Sequence, residues 1–364
     1  MADPLVYING SGIVSPQPAF QTENFPFEPV SYETNRLKVI DPGYKEFIPA
    51  EMIRRMGRII KMGVASAKLC LRDAGFQLED GSYRSPEAIV TGTGLGCLED
   101  TEKFLSSMIT NKEEFLTPTS FIQSTHNTVA GQIALLLKCH GYNFTFVHRA
   151  FSFESALLDA MTRIKTGTCT EVLTGGSDEI TNHSFTIMQR MGFWKRKTIQ
   201  SLELYQDHQR GTIAGEGSSF FLLTNEKNDL SRAVLSGVTT FLHPESSSEV
   251  VHRGHRFLNN LTCQPNNIQL IITGVNGNPQ DDSVYHEFLD KGFSGTPMAG
   301  FKHLCGEYPT ASAFALWIAT GILSTQVVPP WLMVRGTQPE KIDNILIYNH
   351  FKNQEHAFIL IRKV

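Results

Sequence analysis

The stretch Gly141-Tyr-Asn-Phe-Thr-Phe-Val-His-Arg-Ala-Phe-Ser-Phe-Glu-Ser-Ala-Leu-Leu-Asp-Ala160 decides the fold. Phe144 to Val147 reads as a buried strand, followed by a tight turn and a helix that runs on from about Ser152. A strand that stops at a turn and starts a helix aims the helix's unpaired N–H groups and its positive dipole end at one spot. Thiolates and oxyanions are stabilised by such a field, so this is where a nucleophile would stand.

Working outward, the same strand–turn grammar recurs. Ala88-Ile-Val-Thr-Gly-Thr-Gly-Leu-Gly96 is a buried strand and glycine turn, and Glu171-Val-Leu-Thr-Gly-Gly-Ser-Asp-Glu179 is another. The first glycine run is spaced wrongly for a dinucleotide fingerprint. Val6 to Pro16 opens the chain as a short strand ending in a glycine-rich turn. Residues 17–50, rich in proline and aromatics, have no clean period and read as an irregular surface excursion. Glu51 to Ala74 has helical apolar spacing and stops at Gly75. From about Arg232 the pattern repeats: strands at Ala233–Val238 and Ile268–Thr273 around a helix at Ser246–Leu261, then the glycine turn Gly274-Val-Asn-Gly-Asn-Pro279. Leu304 to Leu323 is rich in small apolar residues and reads as a buried helix, with closing strands at Asn344–Asn349 and Ala357–Ile361. Strands alternating with helices give an α/β protein with buried, mostly parallel sheets.

The 364 residues, 41% hydrophobic, suffice for a large core. A net charge of −4, from 32 basic and 36 acidic residues, gives no global pull toward nucleic acid or a membrane. Six irregularly spaced cysteines suit a reducing compartment. No CxxC or HExxH pattern is present, so neither a metal nor any other cofactor is expected. The start Met-Ala-Asp-Pro lacks the basic and apolar regions of a signal peptide, and no apolar run is long enough to span a bilayer. A cytoplasmic protein is expected.

The motifs together resemble those of β-ketoacyl synthases, of the thiolase superfamily. Val6–Pro16 is similar to the family's V-x-I-T-G-x-G-x-V-S-P, Gly92–Gly96 to G-T-G-x-G, and Asn127–Gly131 to N-x-x-A-G. Glu171–Glu179 is similar to V-x-x-A-G-G-x-E/D, and Arg210-Gly-Thr-Ile-Ala-Gly-Glu-Gly217 to R-D-G-F-x-x-G-E-G-A. The resemblance implies a thiolase-like five-layer αβαβα fold of two duplicated βαβαβαββ halves, 1–230 (with the insertion at about 17–50) and 231–364.

It also locates the chemistry, residue by residue. In the family's nucleophile turn, T-A-C-S-S-S, the cysteine position falls on Ala150. The first histidine, in H-G-T-G-T-P-x-G-D, falls on Gly274, and the second, in K-S-x-x-G-H, falls on Glu307. The late glycine loop N-S-F-G-F-G-G becomes Asn349-His-Phe-Lys-Asn-Gln-Glu355. A methyl group cannot attack a thioester, and a glycine cannot donate a proton, so no catalytic residue is expected at these positions. The resemblance then points to a chain length factor of a type II polyketide synthase, of the aryl polyene or flexirubin-like type. Such a subunit forms a heterodimer with an active ketosynthase, shapes its acyl tunnel and serves an acyl carrier protein.

His126, Asn127, Phe151 and Phe153 are candidates for the tunnel or interface, with core packing as the alternative for the two phenylalanines. Arg54, Arg55, Arg58 and Lys61 crowd the first turns of their helix, the wrong end for its dipole. With Lys195, Arg196 and Lys197 they are candidates for docking an acidic carrier, the alternative being solvated faces. Two other functions stay open: an acyltransferase or hydrolase using another nucleophile such as Ser152, and a homodimeric carrier-binding scaffold. Ser152 also suits a helix cap.

Overall fold

The computed structural model describes residues 4–21, 25–114, 116 and 118–364. In the first half, β1 (Tyr7–Val14), β2 (Glu33–Thr34), α1 (Ala50–Ile53), α2 (Arg58–Asp73) and β3 (Ala88–Gly92) lead to α3 (Leu98–Thr110), α4 (Pro118–Ser124) and α5 (Thr128–Leu137). Then come β4 (Tyr142–Phe146), α6 (Ser152–Lys165), β5 (Glu171–Asp178), α7 (Asn182–Arg190), β6 (Ile199–Gln200) and β7 (Gly217–Thr224). The second half contains β8 (Ala233–Leu242), α8 (Ser247–Asn260), β9 (Leu270–Thr273), α9 (Pro279–Gly292) and β10 (Met298–Gly300). It closes with α10 (Lys302–Cys305), α11 (Ser312–Thr325), β11 (Met333–Arg335), β12 (Asn344–Phe351) and β13 (Glu355–Arg362).

The duplication is visible in the strand order. The first half reads β4-β3-β5-β7-β1 and the second, in mirror order, β8-β13-β12-β9-β10, with β11 added at the edge. In both halves the first three of these strands from the outer edge are parallel, and the last two run antiparallel to their neighbours. The halves meet where β1 pairs with β8, at Tyr7–Val234 and Ile8–Ala233.

Period-2 alternation sorts each strand's side chains into different helix layers. Val90, Phe221, Leu223, Ile345, Ile347, Ile359 and Ile361 face a central layer holding α6 and α11. Their chain neighbours Ile89, Phe220 and Leu222 face α2 and α5 on one outer side. Leu346, Tyr348, Phe358 and Leu360 face α8 and α9 on the other. Five layers result, helix–sheet–helix–sheet–helix, as expected from the resemblance.

Four local readings are corrected. Expected strand Phe144–Val147 is β4, but it lies at the sheet edge, with Phe144 45% and Val147 41% exposed. The helix read over Glu51–Ala74 breaks into α1 and α2 at Gly57, whose extended backbone (φ −61°, ψ 166°) starts α2 and where a Cβ would stand 1.9 Å from the Asp100 carboxylate. The helix read over Leu304–Leu323 splits into α10 and α11 around Gly306, whose φ of 75° ends the first. The stretch 17–50 is irregular yet not superficial, since Phe27, Leu37, Tyr44, Phe47 and Ile48 are buried; residues 22–24 lie outside the described residues.

Helix α2 lies directly on β1, and Gly12 is what allows it: a Cβ there would meet Ser66 O at 2.2 Å and Cys70 N at 2.3 Å. Both are backbone atoms of a helix and cannot rotate away. Gly12→Ala should therefore lower stability by about 1–3 kcal/mol in urea unfolding, whereas an unchanged midpoint would contradict this packing.

Candidate functional site at the strand–helix turn

The turn between β4 and α6 is a single 3-10 turn, Arg149–Phe151. Arg149 takes a left-handed backbone, φ 52°. Ala150 is buried, and its N–H donates to Glu355 Oε2 at 3.1 Å. The donor that the α6 end would offer to an oxyanion therefore already holds a carboxylate. Ser152, fully buried, spends both hydrogen-bonding roles on the same turn: its hydroxyl donates to the Arg149 carbonyl (2.7 Å) and accepts the His148 N–H (2.9 Å). It fastens the turn rather than capping α6 in the usual way.

Glu355 reaches the turn because residues 349–355 form a tight β12–β13 hairpin. Lys352 and Asn353 both adopt left-handed φ, 52° and 51°. His350 Nδ1 accepts the Asn353 N–H (3.1 Å), which leaves the hydrogen on Nε2 for the Asp281 carbonyl (3.0 Å). Phe351 stacks on Phe193, and Lys352 Nζ sits 3.2 Å over the same ring. An aromatic ring under a cation and a buried imidazole hold this hairpin in place.

The position of Gly274 is occupied by its neighbours. A Cβ there would stand 2.1 Å from Asn349 Oδ1 and 2.5 Å from the Tyr285 hydroxyl. No larger side chain fits without expelling Asn349. Glu307 is buried and receives Lys302 Nζ at 2.5 Å and Asn276 Nδ2 at 3.1 Å. Lys302 is wholly buried too, so the pair neutralises itself inside the protein. Glu307 lines a polar cleft of about 740 Å³ together with Trp194, Arg210, Asn276, Phe351 and Lys352. Ala150 is not among its described walls.

One turn beyond Ala150 lies Glu154, 1% exposed, facing Ser312 at the start of α11. Burial pushes its carboxyl up to about 7; the Ser312 hydroxyl and Lys302 oppose that shift, while the Glu355 carboxylate adds to it. Burial likewise lifts Asp178 to about 6 and Glu179 to about 7. It lowers His303 to about 3 and His356 to about 4, so both imidazoles are neutral. His303 Nδ1 engages Tyr205, not the turn.

The other predicted residues scatter. Phe153 is fully buried against Phe221 in the central layer, which is core packing; Phe151 is half-buried. His126 and Asn127 are exposed between α4 and α5. Arg58 forms a two-pronged ion pair with the buried Glu216, which also accepts the Val39 and Ile180 N–H groups. Lys195 is 2% exposed and gives its ammonium to Gln209 O, Gly277 O and the Asp207 carboxylate. Arg54, Arg55, Arg196 and Lys197 remain in solvent; Lys61 is half-buried, near the Tyr44 ring.

The β-ketoacyl synthase N-terminal domain profile matches residues 33–229, more than half of the sequence. The chain belongs to the β-ketoacyl synthase family. No curated protein sequence matches it. Among solved structures it is similar to the ishigamide ketosynthase/chain length factor, at 18% identity and TM-score 0.79 over all of both chains. A β-ketoacyl synthase from Burkholderia phymatum STM815 superposes with TM-score 0.79 at 15% identity, covering 99% of this chain and 100% of that one. A ketosynthase in complex with its chain length factor from Xenorhabdus doucetiae gives TM-score 0.77 at 15%, covering 99% and 98%. At such identities the likeness is one of fold.

Sequence reasoning missed Glu154 and Glu355. An acid in a helix's first turn reads as a solvent-facing partner of the dipole, and only the packing of α11 reveals Glu154 as buried. Its raised pKa fixes a sign. Folded Glu154 holds its proton more tightly than the unfolded chain, so this contribution to stability is full at acid pH and is lost as pH rises through about 7. Glu154→Gln removes that loss. In urea unfolding the variant should gain about 1–3 kcal/mol over the wild type on going from pH 5 to pH 8; a pH-independent difference would contradict the buried acid.

Proposed function

We propose that this chain is a non-catalytic ketosynthase-like subunit, a chain length factor. It pairs with an active β-ketoacyl-carrier synthase and shapes the acyl tunnel in type II polyketide or fatty-acid-like biosynthesis. The observation that carries the reading is the occupied turn: a methyl group stands where the family places its nucleophile, and the adjacent N–H is held by Glu355. Condensation needs an activated thiolate, proton-handling imidazoles and a free oxyanion donor. By position, Ala150, Gly274 and Glu307 supply none of these. A carboxylate on the donor also repels the oxyanion that condensation would create.

The free edge of β4 supports pairing. A strand with unpaired backbone groups bordered by exposed Phe144, Val147, Leu135 and Leu158 is a surface that a partner covers. The partner in this reading is a complete ketosynthase of the same fold. The solvent-facing Arg54, Arg55, Arg196 and Lys197 suit an acidic acyl carrier protein. The setting is cytoplasmic; among the described residues no helix is long and apolar enough to cross a membrane. Aryl-polyene-type chains are the product class the family resemblance favours.

The reading makes the dead turn doubly blocked. With an acyl-carrier thioester as donor, the wild-type chain should carry no acyl adduct by intact-mass measurement. Ala150→Cys should label slowly, and Ala150→Cys with Glu355→Gly roughly tenfold or more faster, because the second change frees the oxyanion donor. An adduct on wild-type Ser152 would sink the proposal and revive the hydrolase or acyltransferase alternative.

A further inference from the structure

We infer that the basic ends of β4 exclude a second copy of this chain and select a different subunit whose pairing edge carries carboxylates at both ends. The inference rests on the proposed pairing through β4 and names the chemistry of the partner.

β4 is hydrogen-bonded to β3 on one side, and among the described residues no strand pairs with its other side. Four basic side chains stand at its two ends, all exposed: Lys138 and His140 before it, His148 and Arg149 after it. The backbone sets where the two permanent cations emerge, since Lys138 ends α5 with φ 54° and Arg149 turns into α6 with φ 52°. Among the described residues neither is in an ion pair. The carboxylates close by are already engaged: Asp159 with Arg163, Glu87 with the Thr170 N–H and hydroxyl, and Glu355 with the Ala150 N–H. Between the basic ends the surface is apolar, with Phe144, Val147, Leu135 and Leu158 each more than 40% exposed.

Pairing two identical edges about a two-fold axis runs the strands antiparallel. Lys138 and His140 of one copy then meet His148 and Arg149 of the other, at both ends of the ribbon. Parallel pairing would set each cation against its own copy. Either way basic meets basic, so the apolar middle that favours association is countered at its rims. Like-charge juxtaposition of this kind suppresses wrong partners. A subunit with the same apolar edge and acidic ends would gain where the self-pair loses.

Charge reversal tests this directly. The wild-type chain alone should sediment as a monomer at concentrations where its complex with a complete ketosynthase from the same organism stays intact. Arg149→Glu, whose carboxylate would face Lys138 of a second copy, should self-associate at least tenfold more tightly and bind the ketosynthase at least tenfold more weakly. Lys138→Glu should do the same from the other end, which covers the case that either single variant misfolds. The double variant, with a carboxylate introduced at each end, sets the new carboxylate at one end of one copy against that at the opposite end of the other and should be monomeric again. A wild-type homodimer with β4 amides protected from hydrogen exchange would overturn the inference, and so would single variants that fold and remain monomeric. If the single variants dimerise as expected but no ketosynthase binds the wild type, the charge rule stands and the proposed function fails.

Discussion

Helices α6 and α11 lie between the two half-sheets, and the rest of the molecule is arranged to bury them. Eleven of the fourteen residues of α11 are buried, and it has no polar face at all. A helix that is apolar all round must be enclosed on every side. The strands achieve this by being buried on both faces, sending alternate side chains inward to α6 and α11 and outward to α2 and α5 or α8 and α9. Polar groups on the central helices must then be satisfied locally, as Thr320 is by the Leu316 carbonyl. Glu154 has no such local solution, and its raised pKa is the consequence.

The same enclosure shapes the strand–helix turn at the N-terminus of α6. The N-terminus of α6 still points into a junction where the β12–β13 hairpin and the loops carrying Gly274 and Glu307 converge. Each of the three positions is engaged by a neighbour: Glu355 takes the Ala150 N–H, Asn349 and Tyr285 fill the space at Gly274, and Lys302 neutralises Glu307. Buried polar groups left unpaired are costly. The contacts therefore leave a packed, internally paired turn at this end of α6.

Much of this was legible in the sequence. The glycine-ended strands, the repeat after Arg232 and the strand–turn–helix around Ala150 follow from short-range periodicity and turn chemistry, and each stands where it was read. What was not legible depends on partners far along the chain. Arg58 looks like a surface cation until Glu216 is found 158 positions away, and Lys195 looks solvated until the 277 carbonyl closes over it. Phe144 to Val147 reads as a buried strand in the sequence. Nothing local says that, among the described residues, β3 alone lies beside it. The splits at Gly57 and Gly306 are set by contacts from elsewhere, which the apolar period runs straight through.

The central claim is that this subunit contributes shape and a partner contributes chemistry. Its most direct test is the intact mass of both chains after co-purification with a complete ketosynthase and loading from malonyl- and acyl-carrier protein. The account predicts a one-to-one complex in which acyl mass appears on the ketosynthase alone and this chain keeps its unmodified mass. An acyl adduct on this chain, or a chain that stays unpartnered while the ketosynthase condenses without it, would contradict the account.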